Sequence, residues 1–132
     1  MDYNNLIEAA KSVALNAYCV YSNFRVGAAL LSKSGKIYTG CNIENRSYGA
    51  TICAERSALS QAVSNGETSF TAIAIYSPDS NEELTPCGIC RQVLSEFNQN
   101  MAVICLNSKG NYTILNLSEL MPFDTLHNLK NY

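Results

Sequence analysis

Apolar residues recur at helical spacing along Leu6, Ile7, Ala10, Val13, Ala14, Ala17 and Tyr18, which predicts an amphipathic helix over residues 4–19 with one face laid on a sheet. Val26–Leu31 and Lys36–Gly40 are short β-prone runs on either side of Ser32-Lys33-Ser34-Gly35, a turn composition that predicts an antiparallel hairpin. Residues 41–50 are polar enough to read as a loop. Helical periodicity returns over Cys53–Val63 and stops at Asn65-Gly66, where glycine accepts the left-handed conformation that ends a helix. Phe70–Tyr76 is a nearly continuous apolar strand, and after a segment holding Pro78 and Pro86 a further helix is expected from Gly88 to about Phe97. Ala102–Leu106 and Tyr112–Leu115 flank the turn Ser108-Lys109-Gly110-Asn111 and bring the expected strands to five. The strand-helix-strand-helix-strand order in the middle predicts parallel pairs covered by helices, hence a layered α/β domain. No repeat, linker or low-complexity segment interrupts residues 1–132, so one domain is expected.

Composition narrows the partners. The chain is 47% hydrophobic and 15% charged over 132 residues, enough apolar material for a real core. Its formal net charge is −2 and it carries no basic run, which leaves little electrostatic means of neutralising a nucleic-acid backbone. A small, weakly charged substrate is the expected partner. The start, Met1-Asp2-Tyr3-Asn4-Asn5, lacks the basic segment and apolar stretch of a signal peptide, and no apolar run spans a bilayer, so a cytoplasmic protein without a membrane partner is expected.

Three of the six cysteines carry the chemistry. Cys53 is followed two residues later by Glu55, and Cys87 and Cys90 stand in a Pro-Cys-x-x-Cys run. Both groups fall where a helix is predicted to begin, and helix N-termini present unpaired N–H groups and positive partial charge that favour thiolates. Three thiolates suit one tetrahedral zinc ion per chain and leave its fourth position to water, the arrangement of catalytic sites. Three anionic ligands blunt the acidity that zinc confers, so nearby cations are needed; Arg56 and Arg91 are the candidates, because guanidinium groups stay charged and donate hydrogen bonds to sulfur. Glu55 is then free for proton transfer. Cys19, Cys41 and Cys105 are expected to be small buried residues, and the only histidine, His127, to lie on the surface. A closed structural zinc site is the competing reading, and it lacks a fourth ligand.

With Cys-Ala-Glu-Arg at 53–56 and Pro-Cys-Gly-Ile-Cys-Arg-Gln at 86–92, the chain resembles the small, homotetrameric type of cytidine deaminase. The likeness extends to Tyr21-Ser22-Asn23-Phe24, Val26-Gly27-Ala28-Ala29-Leu30 and Cys41-Asn42-Ile43-Glu44-Asn45, in the same order, and runs from the first helix to about Pro122. A related signature belongs to zinc deaminases in general. The resemblance implies a three-layer α/β/α fold on a five-stranded mixed sheet, and hydrolysis of cytidine and 2′-deoxycytidine to the uridines with release of ammonia, a step of pyrimidine salvage. It further implies that Glu55 moves the proton from zinc-activated water to the ring nitrogen and the leaving amine. Asn42 and Glu44 would hydrogen-bond the ribose 3′-hydroxyl, Phe24 would pack on the base, and the Ala54 N–H would meet the pyrimidine carbonyl. Tyr48 and Phe123 would reach a neighbouring subunit's pocket in a homotetramer with composite sites. Two positions depart from the family pattern: Arg46 stands where a small residue is usual, and no later phenylalanine follows Phe123. Other aminopyrimidine nucleosides, or a base in single-stranded nucleic acid, are alternative substrates; the latter needs positive charge that this chain lacks.

Overall fold

In the computed structural model, which describes residues 2–131, successive strand positions face two different layers of helix. The helices are α1 (Asn4–Ala14), α2 (Ala54–Ser64), α3 (Gly88–Ser95) and the short α4 (Leu117–Leu120). The strands are β1 (Gly27–Ser32), β2 (Ile37–Cys41), β3 (Phe70–Tyr76), β4 (Ala102–Leu106) and β5 (Tyr112–Asn116). Because side chains alternate along a strand, Ala29, Ala72, Ala74, Ile104 and Leu106 pack with Leu6, Ile7 and Ala10 of α1. Ala28, Leu30, Ile73, Ile75, Val103 and Cys105 face the other way, onto Ala54, Ala58, Leu59 and Ala62 of α2 and Leu94 of α3. The result is a three-layer α/β/α arrangement.

The sheet is five-stranded and mixed, in the order β2-β1-β3-β4-β5. The expectation of parallel neighbours holds for β3 and β4 alone; β1 runs antiparallel to both β2 and β3, and β5 antiparallel to β4. The reason is the hairpin. It folds β1 between β2 and β3, so the crossover through α2 joins two strands of the same direction that are not neighbours.

Register then gathers three chain segments at one edge. Gly27 pairs with Cys41 on one side and with Tyr76 on the other, so residues 24–26, 42–44 and 77–87 all leave the sheet at the same end. This is the end at which the crossover helices α2 and α3 begin. Ligands of α/β sheets bind in such crevices beyond the carboxyl ends of the strands.

Two glycines let helices approach the sheet. A Cβ on Gly40 would lie 2.3 Å from the Ala58 nitrogen and 2.8 Å from the Ala54 carbonyl oxygen, so α2 sits directly on β2. On the opposite face a Cβ on Gly27 would lie 2.2 Å from the Ala10 carbonyl oxygen of α1.

Four expectations are corrected. The first helix ends at Ala14 instead of residue 19, because the N–H groups of Leu15, Asn16 and Ala17 reach back only three residues and that of Tyr18 bonds to the Asn42 carbonyl. The segment 41–50 is not simply loop: Cys41 closes β2, Ile43 bridges to Tyr18 and Ile52, and Tyr48–Ala50 forms a 3-10 turn. Cys105 is buried, whereas Cys19 and Cys41 are half-buried. His127 is partly covered, with Nε2 lying 2.9 Å from Asp124 Oδ2.

Candidate metal and catalytic site

Cys53 and Cys87 occupy the same local position, the N-cap of a helix, with extended backbone that turns into α2 and α3 respectively. Each carbonyl accepts a first helical bond, from Ser57 N–H at 3.0 Å and Arg91 N–H at 2.9 Å. Cys90 follows in the first turn of α3 and is fully buried. Two helix N-termini thus converge from different directions on one point, and both bring positive partial charge to the thiols.

The sulfurs of Cys53, Cys87 and Cys90 lie within 4.8 Å of one another, and those of Cys53 and Cys87 are 3.7 Å apart. Zinc–sulfur bonds near 2.3 Å in a tetrahedron put ligand sulfurs about 3.8 Å apart. The donor set and its spacing therefore fit zinc. The Cys53 and Cys90 thiols are hydrogen-bonded to each other; that bond and then Arg56 lower the pKa of the Cys53 thiol, while the same bond and burial raise that of Cys90.

The two arginines separate. Arg56 Nη2 lies 3.6 Å from Cys53 Sγ, the expected contact with sulfur. Arg91 makes no such bond. Its guanidinium donates to the Pro86 carbonyl at 2.7 Å, the Leu120 carbonyl at 2.9 Å and Thr85 Oγ1 at 3.2 Å, so it fastens the Cys87 loop to α4.

Glu55 is 4% exposed in the first turn of α2. Burial, reinforced by the Cys53 charge, pushes its carboxyl up to about 7. A carboxyl in that range can take and return a proton near neutral pH. It lines a cavity of about 200 Å³ together with Phe24, Val26, Asn42, Thr51, Ile52, Cys53, Ala54, Leu84, Thr85 and Cys87. Ala54 is the first residue of α2, so its N–H has no acceptor within the helix.

Asn42 and Glu44 are both held by hydrogen bonds to backbone groups. Asn42 Oδ1 accepts from Val26 N–H at 2.9 Å and its Nδ2 donates to the Phe24 carbonyl at 2.8 Å. Glu44 accepts from the N–H groups of Tyr21 and Ser22 and from the Ser22 hydroxyl, and the Ser22 hydroxyl is the main cause of its lowered pKa. Glu44, Tyr21, Ser22, Asn45, Tyr48 and Thr51 line a neighbouring depression of about 310 Å³, and Thr51 also lines the first cavity.

The outlying candidates do not reach this chain's own sulfurs. Tyr48 is exposed, its ring edge-on to Tyr21 at 6.2 Å. Arg46 is exposed at the rim beside Tyr18, Tyr21, Glu44 and Asn45. Phe123 is 98% exposed at a backbone φ of 57°, projecting from the segment after α4. Ser22, Val26, Thr51, Ile52, Leu84 and Thr85 were not singled out by sequence; of these only Ser22 and Val26, inside the quoted Tyr21–Phe24 and Val26–Leu30 blocks, carried a local signal.

Residues 1–106 match the family described as the cytidine and deoxycytidylate deaminase zinc-binding region. The chain belongs to this family. It is 47% identical over 123 residues to a cytidine deaminase of Sporosarcina psychrophila, covering 92% of this chain and 90% of the relative. To a cytidine deaminase of Halalkalibacterium halodurans it is 45% identical over 123 residues, with 92% of each chain covered. The crystal structure of cytidine deaminase from Burkholderia pseudomallei superposes with a TM-score of 0.90 at 41% identity, covering 95% of this chain and 100% of that one. The fold is the deaminase fold.

Proposed function

We propose that this protein hydrolyses the 4-amino group of cytidine and 2′-deoxycytidine, releasing ammonia and the corresponding uridine, and that it serves pyrimidine salvage. The observation that carries the reading is the buried Glu55 carboxyl beside three convergent sulfurs, in a cavity of base size. Cys53, Cys87 and Cys90 would hold one zinc ion, which supplies the Lewis acidity that readies water for attack on an amidine carbon near neutral pH. Glu55 takes the water's proton, delivers it to the ring nitrogen, and passes the next to the departing amine. One carboxyl serves both transfers because its burial keeps either protonation state within reach.

The cavity orients the base. Phe24 supplies an aromatic wall and the Ala54 N–H a donor for the pyrimidine carbonyl, while the sugar extends past Thr51 to Asn42 and Glu44. Asn42 retains one amide hydrogen and Glu44 retains carboxylate lone pairs for a 3′-hydroxyl. That hydroxyl is common to ribose and deoxyribose, so both nucleosides are substrates.

Tyr48 and Phe123 fit a composite site. The two residues are 78% and 98% exposed, large side chains that a neighbouring copy would cover. A homotetramer is the proposed assembly, each chain forming one catalytic domain over residues 1–132. The proposed location is the cytoplasm; among the described residues no helix is long and apolar enough to cross a membrane. The test is product analysis of the zinc-loaded protein with cytidine, 2′-deoxycytidine and other aminopyrimidine nucleosides in competition. Stoichiometric uridine and ammonia are expected, and exclusive turnover of a different aminopyrimidine would displace this reading.

A further inference from the structure

Phe24 and Val26 line the cavity together with Leu84, Thr85 and Cys87, and the backbone of residues 24–26 is gripped from two sides. On one side the Asn42 amide takes the Phe24 carbonyl and the Val26 N–H. On the other, the intervening Arg25 N–H donates to Asp79 Oδ2 at 2.9 Å. The Arg25 side chain then doubles the contact, with Nε 3.0 Å from Asp79 Oδ2 and Nη2 2.8 Å from Oδ1. Asp79 is itself fixed, because its N–H donates to the Oγ of the fully buried Ser77 at 3.1 Å.

The segment that carries Asp79 leads into the Leu84–Cys87 part of the cavity lining. Ser80 accepts from the Ser108 N–H through its carbonyl at 2.7 Å, and the Leu84 N–H bonds to the Leu106 carbonyl at 3.1 Å, so residues 80–84 are tied to the end of β4. Leu84 and Thr85 follow in the cavity lining, and Cys87 comes next. The Arg25–Asp79 fork therefore connects the wall bearing Phe24 to the segment that leads to Cys87. Bidentate carboxylate–guanidinium pairs fix orientation as well as distance, and lysine at such a site keeps the charge without the fork.

We infer that Arg25 and Asp79 are a positioning pair that sets the separation of the two pocket walls and holds Phe24 at the distance the base requires. Neither residue touches the base or the sulfurs; both act through Phe24 and the 77–87 segment. The inference rests on the deaminase reading for its kinetic consequence, but not for its structural one.

Two measurements keep these apart. Hydrogen exchange of the zinc-loaded protein, without substrate, reads the clamp directly. Asp79→Ala should lose protection at the Arg25 amide and weaken it at Val26, whereas Arg25→Leu, which keeps the backbone bond, should retain it at Arg25. Cytidine kinetics read the consequence. Asp79→Ala and Arg25→Leu should each raise KM by roughly tenfold with kcat changed much less, since misplacement of a binding wall acts on substrate positioning. The double variant should be no worse than the worse single one, and Arg25→Lys should recover only part of the loss. Unchanged protection at Arg25 in Asp79→Ala overturns the clamp whatever the substrate. Losses that add in the double variant, or unchanged KM in both single variants of an active enzyme, overturn its positioning role. A wild type inactive on cytidine with the exchange pattern as expected leaves the clamp standing and removes the deaminase reading instead.

Discussion

Arg56 Nη2 lies 3.6 Å from the Cys53 sulfur, and the Arg56 Nε atom is buried without a hydrogen-bond partner. In the proposed zinc site its work would be electrostatic. Three thiolates around a divalent ion leave net negative charge, and a guanidinium in contact with one sulfur withdraws part of it. Arg56→Gln is expected to retain the fold and to lower metal affinity or turnover by about 10- to 100-fold, the usual range for partners one step beyond the ligands. Chelator competition and kcat on the same preparation check this.

Removal of metal from the chain should abolish turnover before it abolishes structure. The sheet and both helix layers are built from residues outside the sulfur cluster, so the metal-free protein is expected to keep its far-ultraviolet circular dichroism while losing activity. Return of zinc should restore the rate. Loss of the fold on chelation would instead support a structural metal site.

Gly40→Ala tests how the site is positioned. The added methyl would meet the backbone of α2 at 2.3 Å, and backbone cannot rotate aside as a side chain can. Destabilisation of about 1–3 kcal/mol is expected from overpacking, with weakened metal binding because α2 carries Cys53 at its N-cap. Denaturant unfolding and zinc titration read the two effects separately.

The Arg25–Asp79 pair gives stability a defined acid limb. The Arg25 hydrogen bonds hold the Asp79 carboxyl at about 2, below its ordinary 3.8. A carboxyl depressed in the folded state contributes stability that is complete above its unfolded pKa and lost as pH falls through its folded one. The stability difference between wild type and Asp79→Asn is therefore expected to be flat from about pH 5 to 8 and to shrink below about pH 4. Denaturant titrations across that range measure it.

The sequence carried the local parts of this molecule well. Cys53 with Glu55, and Cys87 with Cys90, each sit within a single helix turn, so the two halves of the site were legible from the chain, and the three sulfurs do lie within 4.8 Å of one another. The five strands were legible too, since each is a short run of apolar or β-branched residues. What was not legible is decided by contacts far apart in sequence. The helix over 4–19 stops at Ala14 because Tyr18 pairs with residues 42–44. The parallel pairing fails at β1 because the hairpin folds β1 between β2 and β3. Arg91 bonds to no sulfur and reaches the Leu120 carbonyl, far along the chain, as well as the nearby Pro86 carbonyl.

Phe123 offers a test of the composite site. With 98% of its surface exposed, truncation should cost this chain little stability by itself. Phe123→Ala is expected to raise KM for cytidine and to weaken the tetramer, seen as a shift to smaller species in sedimentation on dilution. A fully active, concentration-independent monomer of the wild type would overturn the proposed assembly.

The central claim is that Glu55 moves the protons of a hydrolytic deamination. The most direct measurement is the fall in absorbance at the cytidine maximum with wild type and Glu55→Gln, both at one zinc per chain and with matching circular dichroism. Wild type should turn over rapidly and the variant slower by at least about 10²- to 10⁴-fold, the range for losing general acid–base catalysis. A folded, zinc-replete Glu55→Gln protein that turns over cytidine at the wild-type rate would contradict it.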